Sequence, residues 1–175
     1  MAEKIAEPIS SNKYECSISF TKNGSVYFAG NGRPEGIGDQ CDIYFTKLTG
    51  GKPDSVKNMG KINTSQSECS VSVSPGEEFI VFTRYFEKQG RNATDLYVSF
   101  RDKNGNWTTA QNLGPYFNSL DSNYSPKFSN DGKYFFFKQA TWNNKTNNYK
   151  ITNYWVKISY FMEMRDFVIR SNSIE

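Results

Sequence analysis

The chain has 175 residues, a formal net charge of +3, an aromatic content of 16% led by Phe and Tyr, and no histidine. That length suits one domain burying roughly 70% of its unfolded-chain surface, and the small, dispersed charge contains no Lys/Arg run of the kind that marks nucleic-acid binding. The missing histidine removes the commonest general base and the usual partner of a Ser or Cys nucleophile, so hydrolytic triads of that kind are excluded.

In chain order, residues 1–8 are a lead-in without the apolar core of a secretory leader. No stretch approaches the roughly 18 apolar residues of a membrane span. Taken alone, this N-terminus places the chain in the cytoplasm. From Ile9 the sequence repeats itself, and a segment that recurs is an architectural unit. Glu15 aligns with Glu68 and then Asn123, Asp42-Ile43-Tyr44 with Asp95-Leu96-Tyr97, and Asn58-Met59-Gly60 with Asn112-Leu113-Gly114. Ile62-Asn63-Thr64-Ser65 likewise aligns with Phe117-Asn118-Ser119-Leu120. The repeats run over 9–61, 62–116 and 117–158, together spanning 9–158.

Alternation of Ser with apolar residues predicts a first strand in each repeat, near 16–21, 69–74 and 124–129. Turns at Lys22-Asn23-Gly24, Pro75-Gly76 and Asn130-Asp131-Gly132 lead into a second, nearly all-apolar strand near 25–29, 79–85 and 134–139. Third strands are expected near 41–47, 95–101 and 151–158, and fourth strands near 55–58 and 107–111; the third repeat has no fourth. The connections after the second strands, 30–40, 86–94 and 140–150, read as long loops gathered on one face. Beyond Ser159 the tail 159–175 places Tyr160, Met164 and Phe167 at helical spacing, which predicts a short amphipathic helix able to cover the exposed edge of the last sheet.

These residues resemble the WD-like propeller repeats of the TolB and Tricorn type. The likeness rests on Ser17-Ile18-Ser19-Phe20, Asn23-Gly24, Val26-Tyr27-Phe28, Arg33-Pro34 with Gly36 and Gly38, and Asp42-Ile43-Tyr44 in the first repeat. It continues in Ser72-Val73-Ser74-Pro75-Gly76 and Asp95-Leu96-Tyr97-Val98, and in Ser125-Pro126-Lys127-Phe128-Ser129-Asn130-Asp131-Gly132. The third repeat departs from the pattern, with Asn153-Tyr154-Trp155-Val156 in place of the Asp motif. The fold implied is all-β, a partial β-propeller of three blades of about four antiparallel strands with a short C-terminal helix. Propellers close with about four to eight blades. The expectation is therefore the C-terminal part of a larger propeller, with self-association of three-bladed chains as the alternative. By the same resemblance the chain belongs in the periplasm or outside the cell.

Candidate sites are few. Arg33, Arg84, Arg91 and Trp142 lie in or beside the long connections and are residue types that anchor interfaces. Glu15 and Glu68 stand at the start of first strands near the channel mouth, where hydrogen bonding to inter-blade loops competes with a catalytic carboxylate pair. Asp42 and Asp95 read as hydrogen-bonding partners of the preceding loop. Asp102-Lys103-Asn104-Gly105-Asn106-Trp107 departs from both an Asp box and a calcium loop and reads as a hairpin turn. Cys16, Cys41 and Cys69, odd in number and without CxxC spacing, give neither a disulfide framework nor a metal site; Cys16 and Cys69 hold the same place in successive repeats, so that they face similar surroundings without necessarily touching, and the three read as small half-buried thiols rather than a bridge. No cofactor is implied. The function expected is non-catalytic binding of a protein or glycan, without nucleic acid; the alternative is a propeller glycosidase or the accessory propeller of a peptidase.

Overall fold

The computed structural model describes residues 2–37, 40–88, 90–118 and 121–171. Gly38, Ser119 and Leu120, which enter the repeat alignment, lie outside the described residues. The three repeats form three antiparallel sheets, one per blade. Blade one holds β1 (Tyr14–Phe20), β2 (Ser25–Asn31) and β3 (Asp42–Thr49), with short β4 (Lys52–Pro53) and β5 (Lys57–Asn58) both paired to β3. Blade two is a meander of β6 (Glu68–Val73), β7 (Phe79–Lys88), β8 (Arg91–Phe100) and β9 (Gln111–Asn112). Blade three has β10 (Ser122–Phe128), β11 (Tyr134–Asn143) and β12 (Asn148–Lys157), with no fourth strand among the described residues.

The Ser alternation of the first strands has a specific use. Each first strand carries a bulge at the same place, between Glu15 and Ile18, Cys69 and Ser72, and Tyr124 and Lys127. In the later two blades a serine takes up positive φ there, Ser70 at 48° and Ser125 at 54°. A bulge bends the strand and re-aims its side chains, and β1, β6 and β10 lie side by side. Ser17 and Ser19 hydroxyls therefore accept from the amides of Val71 (2.7 Å) and Val73 (3.1 Å) in the next blade. Ser72 repeats the contact one blade on, accepting from Phe128 N at 3.1 Å.

The second strands supply the core: apolar residues on both faces of β2 and β7 are covered, whereas β11 buries Phe135 and Phe137 and leaves Phe136 exposed. Tyr27, Ile43, Ile80 and Phe82 pack between blades one and two, while Phe79, Phe128, Phe135 and Phe137 pack between blades two and three. Each such side chain contributes about 1.5–3 kcal/mol through burial.

Two expectations are corrected. The connections 86–94 and 140–150 are not open loops: strand pairing continues through Phe86↔Ala93 to Lys88↔Arg91, and through Ala140↔Ile151 to Asn143↔Asn148. These two-stranded arms extend past the core, so their polar sequence lacks the apolar alternation that signals a half-buried strand. The tail does form a helix, α1 (Ser159–Ser171), but it buries Phe161 and Val168, with Met164 partly buried against them, while Phe167 is 75% exposed. Phe161 enters the aromatic cluster, 4.9 Å from Phe135 and 5.6–5.9 Å from Phe79, Phe117 and Phe128 between ring centroids. The helix thus plugs the core between blades two and three. Asp102 makes the expected turn, accepting from the amides of Asn104 and Asn106.

Candidate functional site

Glu15 and Glu68 both form ion pairs inside the fold, with Arg33 and Arg84, each at 2.7 Å. The surroundings repeat from blade to blade. Ser11 Oγ and Thr64 Oγ1 donate to the respective carboxylates, and the guanidinium groups donate onward to the carbonyls of Ile9 (2.7 Å) and Ile62 (3.1 Å). Arg33 also lies over the rings of Phe28 and Tyr44, and Arg84 over those of Phe82 and Tyr97. With side chains 7% and 11% exposed, Arg33 and Arg84 tie the strand that enters each blade to the blade itself. They are not displayed on loops, which corrects the expectation from their position beside the connections. Nor are Glu15 and Glu68 a free acid–base pair, since each is held by its own guanidinium.

Asp42 and Asp95 also serve the fold. Asp42 Oδ2 accepts from Ile37 N (2.5 Å) and Asn58 Nδ2 (2.8 Å), and Asp95 Oδ2 accepts from Asn112 Nδ2 (3.0 Å). Asn63 and Asn118 then clamp Ile43 and Leu96 through both backbone groups, a pairing that the repeat alignment contains but that reasoning on single motifs missed.

Arg91 and Trp142 are brought together on the two arms. The Arg91 guanidinium lies 5.2 Å from the Trp142 ring centroid, and Tyr149 meets the same indole edge-on at 4.9 Å. Asp121 accepts from Trp142 N at 2.8 Å and pairs with Lys88 at 3.6 Å, joining the arms of neighbouring blades. Beside this platform a groove of about 330 Å³ runs between blades two and three, lined by Tyr85, Asn92, Thr94, Tyr124, Tyr149 and Ile151. Aromatic faces, an amide and hydroxyls are the chemistry of an adaptable binding surface. A larger hollow of about 560 Å³ lies at the opposite ends of the first strands, against Phe20, Pro75 and Phe128, with Lys22 and Lys127 its charged lining residues.

The three cysteines, read from the sequence as half-buried thiols that need not touch, meet at the junction of blades one and two. Cys16 and Cys41 sulfurs are 3.9 Å apart, and all three lie within 4.8 Å of one another. Cys16 and Cys69 hold equivalent positions on adjacent strands β1 and β6, and Cys41 is fixed by its carbonyl, which accepts from Glu68 N at 2.6 Å. Hydrogen bonds from Cys41 and then Cys69 draw the Cys16 thiol well below its ordinary value. The same contact with Cys16, together with burial, drives Cys41 up. The cluster is felt by Tyr14, whose phenol is raised chiefly by Cys16. The repeat equivalence of Cys16 and Cys69 was the available sequence signal; the approach of Cys41 had none. At the next junction Thr94 and Tyr124 stand where Cys41 and Cys69 stand here, so the thiol cluster and the groove are the same place in successive blade junctions.

Meanders stacked through their first strands define a β-propeller architecture, here of three blades. No family model and no curated protein matches the sequence. Among solved structures, the chain is similar to the crystal structure of TolB from Acinetobacter baumannii, with 19% identity, a TM-score of 0.50, and coverage of 81% of this chain and 29% of that one. A structure of a putative TolB from Agrobacterium tumefaciens has 18% identity and a TM-score of 0.42, covering 78% of this chain and 39% of that one. The fold is thus a partial propeller of the TolB type, and the chain spans less than a third of the Acinetobacter baumannii protein's length.

Proposed function

We propose that the chain is a non-catalytic binding and scaffolding module of the bacterial cell envelope, holding a protein or glycan partner on the face that carries the two strand arms. The observation that carries it is the platform of Arg91 on Trp142 and Tyr149 beside the Tyr85–Tyr124 groove. Large aromatic side chains bury much area for little conformational entropy, and here a rigid sheet presents them together with an Arg, a residue type that anchors interfaces. Binding rather than catalysis is favoured because the carboxylates best placed for chemistry are held in ion pairs. The envelope location rests on likeness of fold. Phe136 and Trp155, opposite each other on β11 and β12 and 44% and 59% exposed, leave blade three with an apolar patch open to a further blade or to a second copy.

A glycan array and photo-crosslinking from position 92 into envelope extract test this function. Capture should weaken about tenfold or more in the Arg91→Ala, Trp142→Ala double variant, the usual cost of losing interface anchors. Unchanged capture by a folded double variant would remove the proposal.

A further inference from the structure

We propose that Cys16, Cys41 and Cys69 form a three-thiolate site for a soft d10 cation, Zn²⁺ or Cu⁺. The three sulfurs lie within 4.8 Å of one another, with Cys16 and Cys41 at 3.9 Å. A cation bonded to three sulfurs at about 2.3 Å needs them about 3.8–4.0 Å apart. Contraction by less than about an ångström, within the reach of side-chain rotation, therefore completes the site. Sulfur donors select thiophilic metals, whereas Mg²⁺ and Ca²⁺ require oxygen ligands.

Placement of the ligands agrees with a metal site. They come from two blades and three chain segments, and Cys41, the buried member, is anchored through its backbone to Glu68. Cys16 is exposed, so the cluster opens to solvent on that side. Zn²⁺ would take a water there as fourth ligand, and Cu⁺ would be satisfied by three. On binding, each sulfur that still carries a proton gives it to solvent as its bond to the metal forms. The bound cation would cross-link the first two blades without oxidising any residue.

The test uses the full chain, reduced and freed of metal. Titration with Zn²⁺, and separately with Cu⁺ under anaerobic conditions, should show one equivalent bound by at least one ion, with loss of all three thiols from reaction with a thiol reagent. Cys16→Ser, at an exposed position, and Cys69→Ser should each weaken uptake by at least the roughly 10–100-fold that loss of even an outer-shell partner costs. Raised thermal stability on metal addition, absent in Cys16→Ser, gives a second readout. Three outcomes overturn the proposal: no stoichiometric uptake of either ion, uptake unchanged in both variants, or a Cys16–Cys41 disulfide formed in air equally fast with and without metal. None depends on the binding function of the arm face.

Discussion

Arg84 and Gln139 occupy the same place in successive blades and perform the same act on the backbone. Arg84 Nη2 donates to the carbonyl of Ile62 at 3.1 Å, and Gln139 Nε2 donates to the carbonyl of Phe117 at 2.7 Å. Their strand partners changed with them: Glu68 pairs with Arg84, and Asn123 pairs with Gln139. The ion pair of blade two is thus replaced in blade three by two amides at facing positions: Gln139 keeps the link to the incoming strand, while Asn123 Nδ2 donates to Thr94 O and Asp95 Oδ1.

Arg84→Ala should therefore destabilise the fold by about 3–5 kcal/mol, because it strands the fully buried Glu68 carboxylate without its counter-charge. The Glu68→Asn, Arg84→Gln double variant, copying blade three, should recover most of that loss. Urea unfolding of the three proteins decides the matter, and a double variant no better than the single one would show that the amide pair depends on other features of blade three.

Ser72→Ala removes the acceptor for Phe128 N at the junction of blades two and three. An unsatisfied buried donor costs about 1–3 kcal/mol. Hydrogen exchange should accelerate at Phe128 and along β10, with β1 little affected; equal acceleration in both strands would mean that the loss is global rather than local to that junction.

Phe161→Ala should lower stability by about 3–5 kcal/mol, the cost of emptying an aromatic site in a packed core. Phe167→Ala, on the same helix but 75% exposed, should change it by no more than about 0.5 kcal/mol. Thermal unfolding of both variants separates a packed helix from a merely attached one.

Asp42 is fully buried, and burial holds its carboxyl above the ordinary value, opposed by hydrogen bonds from Ile37 and Asn58. A carboxyl with a higher pKa folded than unfolded binds its proton more tightly in the native state. Its contribution therefore favours folding at acid pH and is lost as pH rises from the ordinary carboxylate value through the raised one. Asp42→Asn keeps one acceptor and removes this dependence. The stability of Asp42→Asn relative to wild type should rise as pH goes from about 3 to about 7, across the range where carboxylates titrate; a constant difference would exonerate Asp42.

Much of the fold was legible because the repeat multiplies weak local signals. The strand pattern around Ser17-Ile18-Ser19-Phe20 is ambiguous alone, but its recurrence at Ser72 and Ser125 identifies a unit. The candidate site was less legible. Arg33 and Arg91 look alike in sequence, both in connections rich in polar residues, yet one is paired with a buried-side carboxylate and the other lies on an indole. The arms 86–94 and 140–150 were hidden because their pairing serves backbone hydrogen bonds rather than core burial.

The amino-acid order by itself determined the number of blades, the alternation that builds each first strand, the turns joining first to second strands, and the tail's helical spacing. These follow from short-range rules of backbone conformation and periodicity that each repeat states anew. Only the tertiary structure decided which charged side chains are held and which are offered, which face of the helix is buried, and that Cys16, Cys41 and Cys69 share one corner. Those outcomes depend on how neighbouring blades stack, and stacking brings together residues separated by 25 or 54 positions in the chain, distances over which local sequence rules carry no information.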